Sequence, residues 1–288
     1  MSVPLLASGI LEHLVNSREI EFGPLKLRLD SVNEWCHGHL GFDPHLSKHV
    51  VMMMVAASLV AVAAIYTSRR AVRDRGHGLF AHMVEATTLF VRDEVVTPGI
   101  GEHHARAWFP YLATLFFFIL TCNLLGLLPP PFGATATGNI WVTLALASLT
   151  LTAMIGGGMA EKGPLAYWIG IVPHGVPWWM WPLVWLIEFF GHLTKPFALT
   201  VRLFANMTAG HVILAVVLGM FLVAGSADFW AHEKGLGSLL GLKAMVVLPS
   251  LGFALFIATF EILVAFVQAY LFTTLTSIFV GLCLSHEH

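Results

Sequence analysis

Glu188, Lys195 and Arg202 stand seven residues apart in an otherwise apolar stretch. On an α-helix a step of seven drifts by only about 20°, so the three fall close to one face. His192 and Asn206 each follow a member of that row by four residues and widen it into a polar stripe. Such a stripe on a greasy rod points to a lined path. Arg202 is its sharpest member: it is flanked by Phe197, Leu199, Val201, Leu203 and Phe204, has no Asp or Glu within ten positions, and cannot shed its proton. A charge at mid-bilayer costs about 2.5–3.5 kcal/mol on insertion scales, and such residues face a pathway or a partner. The competing reading is an arginine that snorkels to the head groups.

His211 and Glu261 supply groups that exchange protons. A histidine, and a carboxylate whose pKa rises on desolvation, are a pair able to pass protons near neutral pH. His211 lies nine residues after Arg202, half a turn away at about 100° per residue, which favours two separate polar surfaces. Gln268 follows Glu261 by seven residues, with Tyr270 just beyond, so the last apolar segment carries a short stripe of its own. The bland alternative for His211 is a ring satisfied by a neighbouring carbonyl.

Other chemistry is poorly supported. His37, His39, His45 and the pair His103-His104 lie in polar flanks without a carboxylate at helical spacing, so no metal site is expected. Trp178, Trp179, Trp181 and Trp185 read as interfacial anchors. Cys36, Cys122 and Cys283 are odd in number and unpatterned, and read as small apolar fillers. No GxGxxG, Walker, GxSxG or HExxH pattern occurs, so no cofactor, nucleotide or hydrolase chemistry is expected of this chain.

The elements that must hold these residues follow from composition. Of 288 residues 57% are hydrophobic and 11% charged, with a mean hydropathy of +0.78. No aqueous fold hides that much apolar surface, and a formal net charge of −2 gives nucleic acid nothing to bind. The expected fold is an all-α polytopic membrane protein. About five helices should cross, over residues 49–68, 107–128, 139–160, 177–223 and 246–284, with an amphipathic surface helix over 79–96. Residues 1–48 form an outer-side N-terminal segment and 49–288 a single integral membrane domain. The cluster Arg69, Arg70, Arg73 and Arg75 puts the end of the first span in the cytoplasm, leaving the N-terminus outside and the C-terminus cytoplasmic. Pro129-Pro130-Pro131 stops the second span, and Asp228, Glu233, Lys234 and Lys243 mark a connecting loop. The last two spans are too long to stand upright in about 30 Å of hydrocarbon; they must slant as a hairpin and imply something to wrap around.

At this level three classes stay open: a subunit of a larger ion-translocating machine, a stand-alone ion channel or secondary transporter, and a His-rich membrane metalloenzyme. A transporter should show two related halves, and no internal repeat is evident; the metalloenzyme predicts bound metal.

Three stretches carry a resemblance. Lys195-Pro196 through Arg202-Leu203-Phe204-Ala205-Asn206-Met207-Thr208-Ala209-Gly210-His211 is the most specific, followed by Glu261-Ile262-Leu263-Val264-Ala265-Phe266-Val267-Gln268-Ala269-Tyr270 and Asn123-Leu124-Leu125-Gly126-Leu127-Leu128-Pro129. With these the chain resembles subunit a of the F-type ATP synthase membrane sector, from the first span to the C-terminus. The resemblance implies a stator subunit, non-catalytic itself, that provides two proton half-channels beside a rotating c-ring. Arg202 would face the ring carboxylate and block a leak. His211 and Glu261 would act as a unit in the outer half-channel, in the order that resembles mitochondrial and alphaproteobacterial members; other bacterial members exchange the two residues. Asn206 and Gln268 would line the same access path and Glu188 the inner exit, with His192 and Lys195 on the proton path. The implied partners are the c-ring, subunit b, the other ATP synthase subunits and the lipid bilayer, in a bacterial inner membrane.

Overall fold

A computed structural model describes residues 19–22, 25–28, 48–72, 79–127, 136–172, 175–225 and 236–284. Its helices are α1 (Lys48–Val72), α2 (Leu79–Phe90), a π-helical turn (Val91–Val96), α3 (Thr97–Ile100), α4 (Glu102–Gly126), a 3-10 turn (Ala136–Gly138), α5 (Ile140–Lys162), α6 (Pro164–Ile169), α7 (Trp181–Gly225) and α8 (Leu236–Leu284). Among the described residues, four helical stretches are long and apolar enough to cross a membrane: His49–Arg69, Glu102–Gly126, Ile140–Lys162 and Leu251–Leu284. The 45-residue α7 carries Glu188, Lys195 and Arg202 through comparably apolar sequence. The chain is thus an all-α polytopic membrane protein. Ahead of the helices lies one short antiparallel ribbon, β1 (Glu19–Phe22) with β2 (Leu25–Arg28), in register Glu19↔Arg28 to Phe22↔Leu25. Its period-two alternation, Glu-Ile-Glu-Phe and Leu-Lys-Leu-Arg, is strand-like.

Hydrocarbon offers the backbone no hydrogen bonds, which is why the apolar segments are helical throughout. Hydroxyls obey the same rule by folding back one turn. Thr114 donates to the Pro110 carbonyl at 2.7 Å, Thr200 to that of Pro196 at 3.1 Å and Thr259 to that of Leu255 at 2.9 Å. Two helices end on glycines that adopt positive φ: Gly101 (φ 85°) after α3 and Gly163 (φ 83°) after α5. Each glycine carbonyl then accepts the first bond of the next helix, from Ala105 and Tyr167 at 3.0 Å. Lys243, expected in a connecting loop, lies inside α8: Leu236-Gly-Ser-Leu-Leu-Gly-Leu-Lys-Ala-Met-Val-Val is apolar enough to extend the helix backwards past one lysine.

The chain divides into two compact units. Of the described residues, the first holds those up to Val55 and those within Cys122–Asn139 and Ala205–Phe266; the second holds those within Ala56–Thr121 and Ile140–Phe204 and from Val267 on. In the first, Asn123 is fully buried. It donates to the Ala265 carbonyl at 3.3 Å and accepts from the Thr137 hydroxyl at 2.8 Å, tying the end of α4 and the 3-10 turn to α8.

The second unit has the larger described core. Leu112, Phe116 and Ile119 of α4, Met154 of α5, Val91, Val95 and Val96 of the π turn, and Ala269 and Val280 of α8 are all buried. Polar links cross its core as well: Thr150 and Thr276 share a hydrogen bond at 3.2 Å, and Ser277 donates to the Val95 carbonyl at 3.0 Å. Close approach relies on glycine. A Cβ on Gly281 would meet the Gly99 carbonyl oxygen, one on Gly157 would come within 2.7 Å of the Trp108 ring, and one on Gly158 would strike the Tyr167 ring. Many large apolar side chains face outward, among them Met54, Leu59 and Val62 of α1 and Phe253, Phe256 and Phe260 of α8, as suits a protein whose solvent is lipid.

Candidate functional site

The residues singled out from the sequence fall into three neighbourhoods. The first, in the second unit, surrounds the start of the α7 stripe. His192 is half-buried, with Nδ1 2.9 Å from the carbonyl oxygen of Glu188. A carbonyl only accepts, so Nδ1 carries a proton and donates to it. Nε2 of the ring lies 3.9 Å from Cys283 Sγ, and the Tyr167 hydroxyl lies 3.6 Å from the same sulfur. Tyr167 is buried, and this desolvation pushes its pKa above the ordinary tyrosine value; the hydroxyl stays protonated and can donate. The Lys195 ammonium stands 5.5 Å from the centroid of the Phe279 ring, in cation–π range. Glu188 and Lys195 are half-buried.

Arg202 is placed differently. Its α7 neighbours Leu199 and Leu203 are buried, while Phe197 and Val201 are exposed at 60% and 42%. Arg202 shares the exposed face and makes no hydrogen bond or ion pair among the described residues. The stripe therefore divides: Glu188, His192 and Lys195 pack beside α6 and α8, whereas Arg202 stands on an outward apolar face. Gln268, on α8 in the same unit, is buried.

The third neighbourhood belongs to the first unit. Glu261 is only 7% exposed, and neither carboxylate oxygen has a hydrogen-bond partner among the described residues. It lines a cavity of about 240 Å³ with Asn206, Met207, Gly210, Ile213 and Phe260. A Cβ on Gly210 would stand 2.9 Å from Glu261 Oε1, so the missing side chain there is what leaves the carboxylate room. His211 lies in α7 in this unit, but its side chain is outside the described residues.

The resemblance put Asn206 and Glu261 on one access path; the structure brings both to the wall of one cavity. Sequence reasoning missed Tyr167 and Cys283 as polar participants, since a lone tyrosine and a lone cysteine in apolar sequence give no periodic signal. Asn123 was legible only within a quoted motif, and its role as a buried tie was not.

Residues 50–281 match the family described as the ATP synthase A chain. ATP synthase subunit a of Chloroherpeton thalassium is 36% identical over 282 residues, covering 96% of this chain and 77% of that protein. ATP synthase subunit a 2 of Chlorobaculum tepidum is 38% identical over 284 residues, with 96% and 73% covered. ATP synthase subunit a of Myxococcus xanthus is 39% identical over 247 residues, with 85% and 75% covered.

Proposed function

The chain belongs to the ATP synthase A chain family, and from that premise we propose that Arg202 is the fixed cation met in turn by the carboxylates of a rotating c-ring. As a multi-pass membrane stator subunit of ATP synthase it serves proton transport coupled to ATP synthesis. That membership sets aside the stand-alone transporter and the metalloenzyme.

Protons enter from the outer side past Glu261, His211, Asn206 and Gln268 and neutralise a carboxylate on the adjoining ring subunit. The neutral site then turns into lipid. On returning it meets Arg202, whose permanent charge favours the ionised carboxylate and expels the proton toward the inner side, past Glu188, His192 and Lys195. The same charge repels a proton attempting to cross directly between the two paths. Each charge moved through the membrane releases about 2.3 kcal/mol per 100 mV. The c-ring and subunit b are the partners, in a bacterial inner membrane with the N-terminus outside and the C-terminus cytoplasmic; residues 1–48 lie on the outer side of the single membrane domain formed by 49–288.

The observation that carries this reading is Arg202 itself: a guanidinium that cannot neutralise itself, on an outward face beside exposed Phe197 and Val201. A charge so placed in an apolar medium needs an acid from another molecule. The test is Arg202→Ala in membrane vesicles energised by respiration. ATP synthesis is expected to vanish while the complex still assembles; synthesis at the wild-type rate overturns the role.

A further inference from the structure

The cavity at Glu261 has the makeup of a binding site as well as of a station on a path. Its volume, about 240 Å³, falls a little below the roughly 300–1,000 Å³ usual for drug-sized ligands. Its walls come from Leu127, Met207, Ile213, Ile257, Phe260 and Val264, with Asn206 as a second polar group. At its side sits one carboxyl, more than nine-tenths buried and without a partner among the described residues. Apolar walls around one acid that has no partner among the described residues are complementary to an apolar body that bears one basic nitrogen.

We propose that this cavity binds small apolar amines, of about one ring and a short aminoalkyl arm, with the nitrogen on the Glu261 carboxyl and the ring among Ile213, Ile257 and Phe260. An amine arriving neutral through the lipid accepts the carboxyl proton, leaving a carboxylate and an ammonium in contact. Neither ion is then stranded in a low-dielectric site, the condition under which a buried pair is tolerated. The charge-assisted hydrogen bond so formed is of the stronger kind. Gly210 contributes by absence, since a side chain there would press on Oε1. The binding claim stands on the cavity alone; that an occupant would obstruct proton entry rests on the function proposed above.

The probes are benzylamine and benzyl alcohol, close in shape and different in basicity, titrated by saturation-transfer NMR onto the intact purified complex in phosphatidylcholine nanodiscs. Benzylamine is expected to bind about tenfold more tightly than the alcohol, with the preference abolished in Glu261→Gln. Equal affinity of the two probes, or an undiminished preference in Glu261→Gln, overturns the proposal; the latter would assign the amine to a carboxylate on another subunit. Ile257→Trp fills the cavity from its wall and should remove benzylamine binding even if Glu261→Gln fails to assemble; wild-type binding in Ile257→Trp is likewise fatal. Adding phosphatidylethanolamine separates two sources of the same chemistry: competition identifies a lipid head-group amine as an occupant, and no competition a soluble one. Should the amine preference hold while Glu261→Gln still translocates protons at the wild-type rate, the site stands and the role of Glu261 in the proton path falls.

Discussion

His192 Nδ1 donates to the carbonyl oxygen of Glu188 across 2.9 Å, and that bond holds the ring at one end of a chain of contacts. Nε2 of the same ring lies 3.9 Å from the Cys283 sulfur, which lies 3.6 Å from the Tyr167 hydroxyl. The chain joins α6, α7 and α8 within one unit. It reaches α7 just before Pro196, where the missing N–H leaves the helix one backbone hydrogen bond short.

Breaking this chain should cost stability in proportion to the links removed. Tyr167→Phe and Cys283→Ala are each expected to lower the stability of the solubilised complex by about 1 kcal/mol, read as a fall in its thermal transition. Cys283→Ser, which keeps a donor and an acceptor, should restore part of the loss. If Cys283→Ala and Cys283→Ser behave alike, the sulfur is only a filler.

Asn123 is a tie between elements, so truncation leaves partners stranded. Asn123→Ala removes a donor from the Ala265 carbonyl and an acceptor from the Thr137 hydroxyl, at an expected cost of about 1–3 kcal/mol. Denaturation of the complex by sodium dodecyl sulfate titration measures it. Wild-type resistance would show that the two partners find others.

Glycine substitutions should rank by what the new Cβ meets. Gly281→Ala drives a carbon into the Gly99 carbonyl oxygen, backbone that cannot rotate away, and Gly158→Ala into the Tyr167 ring; Gly156→Ala meets nothing within 4 Å. Gly281→Ala should fold worst, Gly158→Ala should be intermediate, and Gly156→Ala should gain up to about 1 kcal/mol of helix propensity. Membrane yields of the three give the order, and a Gly281→Ala chain as abundant as Gly156→Ala contradicts it.

At Gly210 the expected result separates function from folding. A Cβ there presses on the far end of the Glu261 side chain, which can swing aside, so Gly210→Ala should assemble normally. ATP-driven vesicle acidification should nevertheless fall, because the carboxyl is moved from its cavity. Unchanged acidification would remove Glu261 from the path.

The pairing of His211 with Glu261 is tested by exchange. The double replacement His211→Glu with Glu261→His should retain more proton flux than either single replacement. Equal loss in all three would mean that the two do not act together.

The membrane class, the long helices and the identity of the charged residues within them were legible from the sequence, because burying a charge in hydrocarbon costs enough that each one present marks a site. The seven-residue spacing of Glu188, Lys195 and Arg202 placed them near one face of α7, a property of the helix alone. Which of them turns inward depends on neighbours far along the chain: Phe279 and Cys283 receive Lys195 and His192, while nothing described covers Arg202. Helical period fixes angles about one axis and carries no information on what packs there. The same limit hid the cavity at Glu261, built from α7 and α8 with Leu127, and the tie from Asn123 to Ala265 over 142 residues. The chain's own chemistry determined that it lives in lipid and which groups carry charge there; only packing decided which of those groups are answered and which are left open.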